Sequence, residues 1–253
     1  MSNRKIALVT GGSRGLGRDM AISIAKKGID IVLTYNSNET AANEVVNEIA
    51  SMGQTAQAFQ LDTSNIKNFA NFVEKLSSYL GRQFGKTTFD FLVNNAGTGL
   101  FGSVAETTEE AFDSMMNIHF KGVYFFTQKM LPLINDGGSI INISSGVTRT
   151  TFPNLSAYAS MKGAIEIYTK SLAKELGVRK ISANVVAPGA IATDFGGGAS
   201  KNDDDKRKAI AGITALGRVG EPEDIGGVVA FLCTPEAGWL NGQRIELSGG
   251  MMI

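Results

Sequence analysis

Short apolar runs alternate along the chain with longer stretches in which apolar residues recur every three or four positions. The apolar runs predict seven strands, at residues 5–10, 30–34, 55–60, 89–93, 138–144, 182–186 and 244–247. The stretches between them predict helices at residues 16–27, 39–52, 66–80, 108–120, 123–134, 157–176 and 222–232. This alternation is typical of βαβ units, which form a mostly parallel sheet with helices on both faces. Because no repeat or linker interrupts it, we expect one α/β domain over residues 1–253.

Two polar stretches are expected to lie outside these elements. Residues 81–88 predict a surface loop before the fourth strand, and residues 196–205 form the stretch richest in Gly, Ser, Asn and Asp. The second stretch follows a predicted strand end, where open α/β sheets place their ligands. We therefore expect a substrate lid at residues 194–215, with an ordinary surface loop as the alternative. The acids Asp203, Asp204 and Asp205 indicate a helix start rather than a cation site.

Composition and charge exclude several classes of protein. Hydrophobic residues make up 43% and charged residues 19% of the 253 residues, as in an ordinary globular enzyme. Lys and Arg total 24 and so do Asp and Glu, so net charge indicates no nucleic-acid partner and no membrane surface. The single cysteine, Cys233, lies in an apolar helical stretch and cannot form an internal disulfide. The first strand follows the first residues directly and leaves no room for a signal peptide, so we expect a cytoplasmic protein.

Candidate chemistry is concentrated at Tyr158, Lys162 and Ser145. The tyrosine and lysine are four positions apart and share one helix face, while the serine ends an apolar run that predicts a strand. An ammonium near a phenol favours the phenolate, so we expect Lys162 to lower the pKa of Tyr158. Ser145 can then hold a carbonyl oxygen while Tyr158 protonates it. A tyrosine and lysine at this spacing also occur by chance, so the pair counts only with its structural context.

A glycine-rich turn supplies that context. Residues Thr10 to Gly17, with the sequence TGGSRGLG, follow the first strand and open a helix. Glycines permit a tight turn there and let a pyrophosphate approach the amide groups of the helix N-terminus. At the start of an α/β pattern, this turn predicts a dinucleotide site.

With these motifs the whole chain resembles the short-chain dehydrogenase/reductase family in its form of about 250 residues. Six elements carry the resemblance in order: the glycine turn, Asp62, the run Asn94-Asn95-Ala96-Gly97, Asn117, the group Ser145/Tyr158/Lys162, and the run from Pro188 to Thr193. The resemblance implies a doubly wound Rossmann fold with a seven-stranded parallel sheet. It also implies reversible hydride transfer between a nicotinamide and a carbonyl or secondary alcohol.

The resemblance assigns roles to individual positions. Asn117, Ser145, Tyr158 and Lys162 are the expected catalytic residues, with Asn117 holding a water that relays protons to Lys162. The expected cofactor-binding residues are Gly11, Ser13, Arg14, Gly15, Leu16, Gly17, Asn36, Ser37, Asp62, Thr63, Asn95, Ala96, Gly97, Tyr158, Lys162, Pro188, Gly189, Ile191 and Thr193. No metal is expected, because the only histidine, His119, has no Cys/His cluster around it and a lone histidine is more often structural.

The end of the second strand bears on the choice of cofactor. An acid there would bind the free 2′-hydroxyl of NAD and repel the 2′-phosphate of NADP. The chain instead reads Thr34-Tyr35-Asn36-Ser37, and Arg14 supplies a cation that can pair with a phosphate. The sequence therefore predicts NADP(H).

The substrate is left open by the sequence. Reduction of 3-oxoacyl thioesters on an acyl carrier protein is the first interpretation, although the helix before the fifth strand ends in apolar and acidic residues. Four basic residues could supply the missing positive patch: Lys129, Lys174, Arg179 and Lys180. A sugar, a steroid or a small ketone is the alternative, and a non-catalytic NADP-binding sensor is a third. Phe152, Pro153 and Leu155 are expected to line a partly apolar pocket.

The family resemblance also implies a homotetramer, assembled through the tyrosine-bearing helix and the helix before it. The apolar residues Met251, Met252 and Ile253 are candidates for burial against a neighbouring subunit.

Overall fold

Seven parallel strands form a single sheet in the computed structural model, which describes residues 4–253. Their order across the sheet is β3-β2-β1-β4-β5-β6-β7, and every neighbouring pair is parallel. The strands are β1 (Ile6–Val9), β2 (Asp30–Tyr35), β3 (Ala56–Gln60), β4 (Phe89–Asn94), β5 (Ile134–Ile143), β6 (Ser182–Pro188) and β7 (Arg244–Leu247). The predicted doubly wound Rossmann fold is confirmed.

Helices cover both faces of this sheet. Within residues 4–253 they are α1 (Gly15–Ala25), α2 (Glu39–Ser51), α3 (Phe69–Phe84), α4 (Glu109–Met116), α5 (Gly122–Met130), α6 (Ser156–Glu175), α7 (Ala199–Asn202), α8 (Asp204–Gly212) and α9 (Glu223–Phe231). One apolar core lies between the sheet and α1, α2 and α9, and a second lies between the sheet and α3, α5 and α6. Because both faces are covered, the central strands are apolar throughout, and all four residues of β1 are fully buried.

The connections place a crevice between β1 and β4. The chain runs from β1 outward to β2 and β3, and then returns to β4 on the other side of β1. Loops that follow the carboxyl ends of β1 and β4 therefore diverge, and ligands of doubly wound sheets bind in the crevice that results.

Two predicted boundaries are wrong. Residues 81–84 belong to α3 rather than to a loop, because Phe84 packs against Tyr79 and the helix ends only at Gly85, whose φ is +69°. Ile134, predicted as the end of a helix, begins β5, where it pairs with Phe89 ahead of a register shift.

The two helices predicted at residues 108–120 and 123–134 form one continuous helical segment. A π-helical turn, Asn117–Lys121, joins α4 to α5. Gly122 lies against the backbone carbonyl of Thr63, at a spot where a Cβ would have no room. A π-turn inside a helix is frequent at functional sites, because it offsets the residues that follow.

The stretch predicted as a lid contains regular structure. A short 3-10 turn, Phe195–Gly197, precedes α7 and α8. Asp203 caps α8 by accepting a hydrogen bond from the backbone N–H of Lys206 at 3.0 Å, and Asp204 and Asp205 lie in its first turn. The interpretation of these acids as a helix start is confirmed. That residues 194–215 move as a lid remains a prediction.

None of the helices in the described part of the chain is long and apolar enough to cross a membrane. Residues 1–3 lie outside the described residues. Two expectations depend partly on them, the single domain over residues 1–253 and the absence of a signal peptide.

Candidate active site

A cavity of about 1080 Å³ opens at the carboxyl edge of the sheet, in the crevice between β1 and β4. It is lined by all of the predicted catalytic and cofactor-binding residues except Asn117. The glycine turn after β1 forms one end, and α8 with the residues before α6 forms the other. The structure thus brings together residues that are scattered from position 11 to position 193 of the sequence.

The glycine turn is shaped for a ligand to approach its backbone. Gly11 has a φ of +66°, a conformation that glycine adopts without strain. A Cβ at Gly17 would collide with the carbonyl oxygen of Gly11 and with the amide of Asn95. α1 begins at Gly15, so its free N–H groups and the positive end of its dipole face the cavity, as an anionic phosphate requires.

The ends of β1 and β4 are tied together by Thr10. Its hydroxyl oxygen accepts hydrogen bonds from the backbone N–H groups of Asn95 and Ala96, each at 3.0 Å. The Asn95 amide in turn donates to the Thr10 carbonyl at 2.9 Å. These contacts fix the backbone of Asn95 and Ala96, which line the cavity.

No acid lines the cavity at the end of β2, among the residues that the structure describes. Asn36 and Ser37 lie there instead, and the exposed guanidinium of Arg14 lines the same end. Asp62 accepts two hydrogen bonds from Ser64, at 2.9 Å from the backbone N–H and 2.7 Å from the hydroxyl. Apart from Asp62, whose carboxylate accepts from Ser64, this end therefore presents an arginine and neutral donors.

Tyr158 and Lys162 lie one turn apart on α6, and both side chains are buried. The Lys162 ammonium donates a hydrogen bond of 2.8 Å to the carbonyl of Ile143, at the end of β5. Its Nζ lies 5.6 Å from the centre of the Tyr158 ring. Ser145 follows β5 and lines the cavity beside the phenol.

The expected direction of the Tyr158 shift is wrong for the protein without ligands. Burial raises the pKa of the phenol to about 12, and the Ser145 hydroxyl beside it lowers that pKa by less. Burial also lowers the pKa of Lys162 to about 8. The reason is burial: desolvation is the largest cause of both shifts, and the Lys162 ammonium is bound to a backbone carbonyl rather than to the phenol. Tyr158 is consequently protonated at neutral pH, ready to donate.

His119, rather than Asn117, is the residue of the π-turn that lies beside Tyr158. The imidazole lines the cavity and is 1% exposed, whereas Asn117 starts the π-turn and does not line the cavity. His119 Nε2 lies 2.7 Å from the carbonyl oxygen of Thr98, so a neutral ring donates its N–H there. Burial, with a smaller contribution from Lys162, lowers the pKa of His119 to about 3. The water-relay role of Asn117 remains a prediction.

The outer part of the cavity has mostly apolar walls. Phe152, Pro153 and Leu155 line it as predicted. The sequence did not indicate five further apolar residues that line it with them: Phe101, Phe195, Ile210, Ile213 and Met251. The centres of the Phe195 and Tyr158 rings are 5.8 Å apart, so these apolar walls extend to the Tyr158 phenol.

A polar network supports the backbone of Ser145 from below. Arg244 Nε donates to Glu166 Oε1 at 2.8 Å, and Ser144 donates to the same oxygen at 2.8 Å. The Thr148 hydroxyl lies 2.9 Å from the carbonyl of Ser145 and 2.6 Å from Glu166. β7, α6 and the turn after β5 are thereby joined under the serine.

Comparison with known proteins identifies the family. A family model described as "Enoyl-(Acyl carrier protein) reductase" matches residues 11–252. Hydroxynaphthalene reductase-like protein Arp2 of Metarhizium majus is 37% identical over 257 residues, which cover 97% of this chain and 94% of that protein. The chain belongs to the short-chain dehydrogenase/reductase family.

Solved structures of this short-chain dehydrogenase/reductase family superimpose closely. LugOII, a promiscuous reductase that catalyses keto-reduction at C1 during lugdunomycin biosynthesis, is 37% identical, with a TM-score of 0.93 and 98% coverage of both chains. The landomycin C-6 ketoreductase LanV, solved with bound NADP and rabelomycin, is 36% identical, with a TM-score of 0.89 over 98% of this chain and 96% of LanV. The predicted family and the oxidoreductase class are confirmed.

Proposed function

We propose that this short-chain dehydrogenase/reductase is an NADP(H)-dependent ketoreductase that acts on a ring ketone of a flat, partly aromatic molecule. The observation that carries the proposal is the position of the protonated Tyr158 phenol at the base of a cavity whose outer walls are aromatic and aliphatic. The relatives support it, since LanV carries a ketoreductase name and Arp2 is named as similar to hydroxynaphthalene reductases.

The residues present fit an NADP(H) molecule. The side-chain-free cradle at Gly11 and Gly17 leaves room for a pyrophosphate at the start of α1. Arg14, Asn36 and Ser37 would hold the adenosine 2′-phosphate, and Lys162 with Tyr158 would hold the nicotinamide ribose. When bound, the reduced cofactor supplies a hydride to the carbonyl carbon.

The chain supplies the proton and holds the oxygen. Ser145 donates a hydrogen bond to the substrate carbonyl, which orients it beside the phenol. Tyr158 gives its O–H proton to that oxygen as negative charge develops there, and the product is an alcohol. Lys162, an ammonium in most molecules at neutral pH, stabilises the phenolate that is left until the proton is replaced. We propose reduction as the direction of the reaction, because the relatives are named as reductases and a protonated phenol is the state that reduction requires.

Reduction of a 3-oxoacyl thioester on an acyl carrier protein is the second candidate. The description of the family model names an acyl carrier protein, although for an enoyl substrate rather than a 3-oxoacyl one. Of the four basic residues that could attract an acidic carrier, however, Arg179 is already engaged: it pairs with Asp136 at 2.8 Å and donates to the Leu131 carbonyl at 2.8 Å. Lys129, Lys174 and Lys180 remain exposed. The apolar walls favour a steroid or aromatic ketone over a sugar.

One assay separates these candidates. NADPH oxidation is measured with a bicyclic aromatic ketone, a steroid, a sugar and an acetoacetyl thioester, and then repeated with NADH. We expect turnover with the aromatic ketone, preference for NADPH, and a loss of about a thousandfold in Tyr158→Phe. Near-wild-type turnover by Tyr158→Phe would contradict the assignment of the acid, and tight NADPH binding without turnover of any carbonyl would favour the sensor.

We also propose a homotetramer in which α5 and α6 pair with a second copy. Tyr124 and Tyr168 lie with ring centres 4.7 Å apart on this surface, and Ile167 beside them is 63% exposed. An exposed aromatic and aliphatic face of this kind indicates an interface. Sedimentation should show a tetramer that Ile167→Glu dissociates, and a monomer at micromolar concentration would reject the assembly.

A further inference from the structure

Four basic side chains project from α7 and α8, and three of them are paired with carboxylates. Lys201 lies 3.0 Å from Asp194, Arg207 lies 3.6 Å from Glu221, and Lys208 lies 3.8 Å from Asp205. Lys206 has no carboxylate within salt-bridge distance among residues 4–253. It lines the cavity instead, with Nζ 5.6 Å from the centre of the Phe101 ring.

The charges around Lys206 leave its ammonium available to a ligand. The Asp203 carboxylate accepts a hydrogen bond from the backbone N–H of Lys206, not from its ammonium. Asp205 pairs with Lys208. The other acid at this end of the cavity, Asp194, is paired with Lys201. Two further cations line the cavity, but Arg14 lies at the glycine turn and Lys162 is bound to the Ile143 carbonyl.

The Phe101 ring holds the Lys206 ammonium in place. A lysine over an aromatic face is held by the ring quadrupole and keeps its hydrogen-bond donors free. On the cavity side, Phe101 and Phe195 present flat apolar surfaces, and Phe195 in turn approaches Tyr158. The Tyr158 phenol and the Lys206 ammonium thus line one cavity that also has flat aromatic walls.

We propose that Lys206 recognises an anionic oxygen, a ring enolate or phenolate or a carboxylate, carried on the far edge of an aromatic ligand. An aromatic ketone that carries such an anion would be the substrate class of the ketoreductase, and this part of the inference rests on the proposed function. Since Lys206 is exposed to solvent, the ion pair that it forms is worth about a three- to fivefold difference in affinity rather than a large one.

The test measures binding, so it does not depend on turnover. Isothermal titration of the NADP⁺-loaded protein compares three probes of similar shape: naphthoate, an acidic hydroxynaphthoquinone and neutral naphthamide. We expect one or both anions to bind about three- to fivefold more tightly than naphthamide, and the stronger of the two identifies carboxylate or enolate as the preferred source. Lys206→Gln should erase this preference and leave naphthamide binding unchanged.

Lys208→Gln is the matched control, because Lys208 belongs to the same helix and is paired with Asp205. It should retain the preference for anions. Equal affinity of the wild-type protein for all three probes, or a preference that survives in Lys206→Gln, would overturn the inference. Ketone turnover with no anion preference overturns this inference alone, whereas anion binding through Lys206 without any ketone turnover overturns the proposed function alone.

Discussion

The imidazole of His119 meets the phenol ring of Tyr158 edge to face, with ring centres 5.1 Å apart and ring planes at 90°. The contact joins the π-turn between α4 and α5 to the face of α6 that carries the acid. A hydrogen bond to the Thr98 carbonyl also fixes the His119 ring, so the imidazole forms a fixed wall beside Tyr158. With its pKa near 3, the ring stays neutral and adds no charge next to the phenol.

His119→Gln tests whether this wall positions Tyr158. Glutamine can still donate to the Thr98 carbonyl but offers no ring to the phenol. We expect kcat to fall about three- to tenfold, in keeping with an aromatic pair of about 1 kcal/mol, while the melting temperature and the Kd for NADPH change little. His119→Ala, which loses both contacts, should lower the melting temperature as well. An unchanged kcat in His119→Gln would show that the ring serves stability alone.

Lys162→Met should stabilise the protein without ligands while abolishing ketone reduction. A buried ammonium whose pKa falls from 10.5 to about 8 costs about 3 kcal/mol at neutral pH. The lost charged hydrogen bond to Ile143 offsets about 2 kcal/mol of that gain. A net gain of about 1 kcal/mol predicts a melting temperature about 2–4 °C higher for a chain of this size.

The pH dependence of that gain has a definite sign. Between pH 8 and 10.5 the unfolded chain binds more protons at Lys162 than the folded chain does, so wild-type stability rises with pH in this window. The advantage of Lys162→Met should therefore shrink above pH 8. Urea denaturation at several pH values measures it, with Lys170→Met, exposed on the same helix, as the control. A constant difference up to pH 10 would contradict the lowered pKa of Lys162.

Cofactor choice should depend on Arg14. Removing its guanidinium in Arg14→Ala should raise KM for NADPH about tenfold and leave KM for NADH nearly unchanged, since only NADPH carries the 2′-phosphate. Asn36→Asp should weaken NADPH further by placing a carboxylate at the end of β2. Arg18→Ala is the matched control, because Arg18 lies one turn further on and pairs with Glu48 at 2.5 Å. If Arg14→Ala raised KM for NADPH and for NADH equally, Arg14 would not be the residue that binds the 2′-phosphate.

Glu166→Gln should displace Ser145 although Glu166 makes no hydrogen bond to it. The neutral amide weakens the contacts of Glu166 with Arg244 and Ser144, which together support the Ser145 backbone. We expect kcat to fall about threefold and the free energy of unfolding to fall by about 1–2 kcal/mol, with an unchanged Kd for NADPH. Glu175→Gln, exposed at the end of the same helix, should leave both values as in the wild type. A loss of stability with full kcat would limit Glu166 to a structural role.

Local patterns were sufficient to locate the strands and to find residues that line one cavity, because motif residues such as Gly17, Asn95 and Lys162 follow one another in the order typical of the family. They failed where long-range packing decides. Nothing near Ile134 indicates that it pairs with Phe89, and the π-turn depends on the approach of Gly122 to Thr63.

The same limit applies inside the site. A single histidine carries no motif, and only the packing of α4 and α5 against α6 brings His119 beside Tyr158. Lys206 and Phe101 are about a hundred residues apart in sequence and meet only in the folded protein, where both line the cavity. The Tyr158 pKa was expected to fall because spacing reveals the neighbour but not the depth of burial.

The cavity is assembled from independent pieces of chain, with the turn after β2 at one end and α8 at the other. Mutations at distant, unconnected positions generally have additive effects. For the function proposed above, substitutions in α8 would therefore change the substrate while the coenzyme stays the same, and substitutions after β2 would change the coenzyme while the substrate stays the same. Lineages that share this proton donor are free to diversify in what they reduce.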